Sequence, residues 1–254
     1  MSTTDSPLVR CTTADGVATI TLDSQRNRNA LSRRLVGELT AYLDQVESDD
    51  DVRVVVLAAE GKAFCAGADM SEAASQGMEE GARTLIALQR KIVASSKPVV
   101  VRLHAPVRAG GLGLVGAADI VIAADTVTFA FTEARLALAP AAISLTTLPR
   151  LTSRAAARTF LTGETFDATA AADMGLVSQV VPADRLDAAV DEVVGELGKS
   201  ALQGLQQTKK LLNREIVADI DARGDDLAAL SASLFGSDAA KEAMTAFLNR
   251  KKKA

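Results

Sequence analysis

Three predominantly apolar runs, at residues 53–59, 98–103 and 119–123, constrain this chain more than anything else in it. The first reads Val54-Val55-Val56-Leu57-Ala58-Ala59 after Arg53. A strand with one wet face alternates apolar and polar residues; a strand buried on both faces does not. Helical periodicity lies between the runs. Ser32 is a good N-cap, Leu31 and Val36 have the spacing of a hydrophobic staple, and Leu35, Leu39, Tyr42 or Leu43, and Val46 supply an apolar stripe. A second helix is expected over 81–95, with Leu85, Leu88 and Ile92 facing inward, and a short one over 111–118. Further helices are expected over 153–161 and 168–174, then a strand over 176–181. Before all of these, residues 8–13 and 17–22 flank Asp15-Gly16, a hairpin signal. Strand and helix alternating in this way predict an α/β fold with parallel pairing. From about Pro182 onward the pattern is helical only, with a last helix starting at Ser237 and Asp238 and a basic tail at 250–253.

At 254 residues the chain can bury one large core and carry an appendage. Only 3% of residues are aromatic and none is Trp, so the core must be aliphatic and a base-stacking surface is excluded. A net charge of −4 gives no electrostatic case for nucleic acid. The first residues lack a basic segment and an apolar one, and no apolar run is long enough for a membrane span. The expectation is a cytoplasmic protein with no nucleic acid or membrane as partner, and with Cys11 and Cys65 reduced.

Two glycine-containing turns follow β-type runs: Lys62-Ala63-Phe64-Cys65-Ala66-Gly67-Ala68-Asp69-Met70 and Arg108-Ala109-Gly110-Gly111-Leu112-Gly113. Glycine permits positive φ and close approach of a ligand to the backbone. Two such turns can aim two N–H groups at one oxygen, the arrangement that stabilises an oxyanion. Gly111-x-Gly113-x-x-Gly116 also fits a dinucleotide pattern, but it comes late in the chain and lacks an acid at the proper distance. Glu133 follows an apolar strand and sits among Phe129, Phe131, Leu136 and Leu138. There a carboxyl has a raised pKa and can trade a proton near neutrality; the alternative is a solvated glutamate paired with Arg135. His104 is the sole histidine, and it and Cys65 read as packing residues rather than a nucleophile and its base. No acids or histidines stand at metal-ligand spacing, so no metal is expected.

Together these markers resemble the enoyl-CoA hydratase/isomerase (crotonase) superfamily across essentially the whole chain. They are Arg28-Asn29-Ala30-Leu31-Ser32, the two glycine turns, Ala118-Asp119, and Phe129-x-x-x-Glu133-x-x-Leu136 with Pro140. Gly163-x-x-Phe166, Met174-Gly175-Leu176-Val177 and Glu242-Ala243-Met244-x-Ala246-Phe247-Leu248 extend the likeness. The resemblance implies a crotonase-like spiral of repeated ββα units over residues 1–195 and a helical C-terminal trimerisation region over 196–254, giving a homotrimer or a dimer of trimers. It implies an acyl-CoA substrate and no separate cofactor, coenzyme A being part of the substrate. The oxyanion donors map to the backbone N–H groups of Ala68 and Gly110. The coenzyme A contacts map to Arg26, Arg28, Ala30, Ala66, Asp69 and Met70, and those from a neighbouring subunit to Phe247 and Lys251.

One departure stands out. Hydratases of the superfamily hold their water between two glutamates. Glu133 matches the second, and Gly113 stands where the first belongs. The sequence is similar in this respect to single-glutamate bacterial hydratases of the methylglutaconyl and isohexenylglutaconyl type, which also carry glycine there. Three readings follow: hydration across the 2,3 double bond, which is favoured; double-bond isomerisation or other one-glutamate enolate chemistry; and acyl-CoA binding without turnover.

Overall fold

The computed structural model of the chain describes residues 6–69, 72 and 78–251, with side chains through residue 246. In chain order the strands are β1 (Val9–Ala14), β2 (Val17–Leu22), β3 (Val54–Ala59), β4 (Val99–Leu103), β5 (Val107–Arg108), β6 (Ile120–Ala124), β7 (Thr128–Ala130), β8 (Phe166–Asp167) and β9 (Gln179–Val181). The helices are α1 (Arg33–Glu47), α2 (Met78–Ala94), α3 (Gly110–Ala117), α4 (Ala141–Thr147), α5 (Ser153–Thr162), α6 (Ala168–Asp173), α7 (Leu186–Gly198), α8 (Leu202–Gly236) and α9 (Asp238–Lys251).

The hairpin forms as expected: β1 and β2 are antiparallel, and Asp15 and Gly16 both take positive φ. Mirror-image hairpin turns require that backbone because it matches the strand twist. The other neighbours in the large sheet, order β1-β2-β3-β4-β6-β9, are all parallel. Every residue of β3 is buried, which accounts for its unbroken apolar run. A small second sheet has the order β5-β7-β8, and the second glycine turn follows its strand β5. Its strands are two or three residues long, too short for any periodicity to show in sequence. The strand expected over 176–181 shrinks to β9, because the Leu176 and Val177 N–H groups both donate to Ala171 O in the preceding helix rather than to a neighbouring strand. Ser32 caps α1, its hydroxyl accepting the Leu35 N–H at 3.3 Å.

The C-terminal region is helical as read, and residue 195 lies inside α7. The long helix α8 packs on α2 and α4. Lys209, 4% exposed, anchors it, donating to Ile92 O and Lys97 O (2.9 Å each) and pairing with Asp119 at 2.8 Å. Asp119 also accepts from Asn213 Nδ2 at 2.8 Å. Burial lowers the Lys209 pKa, and Asp119 opposes that shift. A buried ammonium is tolerable only with such partners. Leu211 and Leu212 on the same helix are 74% and 70% exposed among the described residues. Among the described residues no helix is long and apolar enough to cross a membrane.

Candidate active site

The two glycine turns lie side by side because the strands before them do. The Phe64 N–H donates to Pro106 O and the Arg108 N–H to Cys65 O, each at 3.0 Å. Cys65 thus bridges Val107 in parallel. Gly67 takes φ +94°, and a Cβ there would lie 2.9 Å from Ala109 Cβ and 3.4 Å from Gly110 N, so glycine is required on both grounds. Ala109 occupies φ 45°, ψ −122°, a backbone that costs an alanine about 1–3 kcal/mol. That kink ends β5 and starts α3 at once. Gly110 is therefore the first residue of a helix, where the N–H has no intrahelical acceptor. A Cβ on Gly110 would be 3.7 Å from Ala68 N. In the hydrogen bonds that join these turns, neither the Ala68 nor the Gly110 N–H is used. Ala68 is exposed and Gly110 buried.

Glu133 reaches this place through the second sheet. β7 pairs in parallel with β5, Arg108 beside Ala130, and the Ala109 N–H donates to Ala130 O at 3.2 Å. The chain then turns, and Glu133 opens the 3₁₀ segment Glu133–Leu136. Its Oε2 is buried with no hydrogen-bond partner among the described residues. Burial raises its pKa from 4.5 to about 7, and a bond from its own backbone N–H only partly offsets this. Arg135 is turned away, donating to Thr162 O at 2.8 Å. The Glu133–Arg135 pair considered above is absent, and the apolar reading of Glu133 holds. α9 packs against the same segment.

The loop before α1 is strapped to the first turn. Ala66 N–H donates to Arg28 O (3.1 Å) and Leu31 N–H to Gly67 O (2.8 Å). Arg26 and Arg28 are exposed beside the Ala66–Ala68 segment, and Ala30 is buried. Asp69 accepts from Asn27 Nδ2 at 3.1 Å. Thus Arg26, Arg28, Ala30, Ala66, Ala68, Asp69 and Gly110 fall in one neighbourhood. Met70 lies outside the described residues, as do the side chains of Phe247 and Lys251 and most of 71–77. The two cysteines are free. Burial pushes the Cys65 thiol up to about 12, and His104 Nε2 is bonded to Gly61 O at 2.8 Å, so the pair is no nucleophile and base.

A match to the family described as enoyl-CoA hydratase/isomerase spans residues 12–254. The chain belongs to the enoyl-CoA hydratase/isomerase family. It is 31% identical over 251 residues to an enoyl-CoA isomerase/hydratase of Mycosarcoma maydis, covering 93% of this chain and 91% of that one. It is 28% identical over 241 residues to the short-chain-enoyl-CoA hydratase of Clostridium acetobutylicum, covering 93% and 92%. The crystal structure of an enoyl-CoA hydratase from Mycobacterium avium superposes with a TM-score of 0.91 at 46% identity, covering 96% of this chain and 97% of that one. The crotonase-like α/β fold expected from the sequence is therefore the fold of this family member.

Two residues of the site carried no assigned role in the sequence reading. Asn29, fully buried at φ 54°, accepts the Ser24 N–H (2.7 Å) and donates to Glu60 O and Ala63 O (2.9 Å each). It ties the arginine loop to the first turn, and only the tertiary structure shows what it reaches. Gln89, 0% exposed, lies behind Gly113. Its signal was available: it stands four residues after Leu85 and three before Ile92, a polar residue on the apolar face of α2.

Proposed function

We propose that this family member is an enoyl-CoA hydratase-like lyase with Glu133 as its sole proton carrier. The observation that supports this most directly is a buried carboxyl near pKa 7, three residues beyond Ala130, whose carbonyl accepts the N–H of Ala109 next to Gly110. In the reaction proposed, the Ala68 and Gly110 N–H groups bind the thioester carbonyl of a 2-enoyl-CoA. The Glu133 carboxylate takes a proton from water as its oxygen bonds to C3. The electron pair of the double bond moves toward the thioester, whose oxygen becomes the enolate held by the two donors. Glu133 then returns the proton to C2, so water is added and the carboxylate is restored. Arg26 and Arg28 suit the phosphates of coenzyme A. A carrier protein without turnover has no use for a carboxyl poised to exchange protons.

Gly113 favours a second reading. With one carboxyl, the same apparatus can remove a C2 proton from a 3-enoyl thioester and return it at C4. The test is a panel of straight and branched 2-enoyl-CoA and 3-enoyl-CoA thioesters, followed by the absorbance of the conjugated enoyl group. The branched members answer to the likeness with methylglutaconyl-type hydratases. Hydration removes that absorbance and isomerisation creates it. Loss with at least one 2-enoyl substrate is the expected result, and gain alone, with no hydration, would replace the first reading by the second.

The same assay against pH tests the role of Glu133. The base must be unprotonated, and in the free enzyme it loses its proton at about 7. We expect kcat/KM to rise tenfold per unit below about pH 7 and level off above it. A flat profile from pH 5.5 to 8.5 would remove Glu133 from the role of base.

A further inference from the structure

Gly113 is the fourth residue of α3, a helix buried along its whole length. A Cβ built on it would lie 2.8 Å from Gln89 Oε1, 2.9 Å from Gln89 Cδ and 2.9 Å from Ile143 Cγ2. Real Cβ atoms do not approach so closely, and a glutamate would need room for its Cγ, Cδ and two carboxyl oxygens beyond that atom. The obstructing amide is not a loose chain end. Gln89 Nε2 donates to Ala142 O at 3.1 Å and to Leu85 O at 3.3 Å, and Oε1 accepts from the Thr146 hydroxyl at 2.6 Å. All of its polar atoms are engaged, and it is completely buried. The Thr146 hydroxyl also lies 3.1 Å from Gly113 O. One amide therefore joins α2, α3 and α4 behind the turn that carries the Gly110 donor.

We propose that Gln89 is the residue that restricts this site to one carboxyl, and so sets how far it favours internal proton transfer over water addition. This deepens the reading of Glu133 given above and rests on it for the chemistry. A satisfied buried amide is hard to move, because its displacement breaks the bonds it makes to the Ala142 carbonyl and the Thr146 hydroxyl and leaves its own polar atoms to find new partners in a buried space. Glycine at 113 and glutamine at 89 are then a matched pair. Replacing the glycine alone drives a carboxylate into an occupied, apolar-walled space. Shortening residue 89 removes the polar obstruction, leaves Ile143 Cγ2 as the remaining close contact, and frees the Thr146 hydroxyl to donate to the newcomer.

The experiment compares Gly113→Glu, Gln89→Ala and the double variant by melting temperature and by hydration and isomerisation rates over the same panel. Gly113→Glu is expected to melt well below the parent and to lose both activities. The double variant is expected to melt above Gly113→Glu, and its hydration-to-isomerisation ratio is expected to exceed the parent's by at least tenfold. If Gly113→Glu melts like the parent and gains hydration, the space was open and the proposal fails. If the double variant melts no higher than Gly113→Glu, Gln89 is not the obstruction and the proposal fails. If it recovers stability with an unchanged ratio, Gln89 fills the space without governing the chemistry, which also overturns the proposal. The melting comparison does not depend on which reaction the parent performs, so failure of the hydratase reading is told apart by the parent's own rates.

Discussion

Glu133→Gln is expected to lower turnover by about 10²–10⁴-fold, the range a positioned acid–base group contributes, with acyl-CoA affinity nearly unchanged. The amide has the size and shape of the carboxyl but cannot carry the proton between water and carbon. The backbone donors and the arginine loop are untouched by the change, so binding measured by calorimetry with a non-reactive acyl-CoA should persist. A second readout separates this from general damage. Burial raises the Glu133 pKa from 4.5 to about 7. The protonated form is therefore favoured in the fold, and the parent's stability falls as pH rises through that window. Glutamine has no such dependence. The melting temperature of the variant relative to the parent should rise between pH 5 and pH 8. Turnover unchanged by the substitution would sink the catalytic assignment.

Gly110→Pro is the second large effect. Side-chain changes hardly test a backbone donor, whereas proline deletes the N–H itself. Gly110 is the first residue of α3, the helical position where proline is best tolerated. Loss of one oxyanion donor costs about 2.7–4 kcal/mol, or 10²–10³-fold in kcat. The added ring meets Leu31 Cδ1 first, at 3.1 Å from a Cβ, and that methyl group is the mobile end of a side chain. Gly110→Ala supplies the control, since it adds the same first carbon and keeps the N–H. It should stay within tenfold of the parent. Equal losses in the two variants would mean that bulk, not the donor, matters at this position.

Much of the fold was legible because its signals are local. Asp15-Gly16 carries the backbone preference of a tight hairpin, Ser32 the hydroxyl that caps α1, and β3 the unbroken apolar run of a doubly buried strand. The small sheet was harder to read. β5 and β8 span two residues each, and their pairing is decided by what lies across from them. Asp119 was legible in sequence only as part of the Ala118-Asp119 motif, and its partners Lys209 and Asn213 are some ninety residues away on α8. At the site, the glycines named both turns, since positive φ and close approach are demands on a single residue. That Gly67 and Ala109 touch, and that Glu133 arrives beside them, follows from parallel pairing between distant segments.

By itself the sequence determined the α/β alternation, the two glycine turns, the glutamate at 133 after an apolar strand, and the absence of a carboxyl at 113. These are properties of residue type and of short-range spacing. Tertiary structure decided what the glycine at 113 means. The space in front of it is occupied by an amide from α2, held by α4, and no spacing rule within either helix specifies a contact that exists only when three helices pack together.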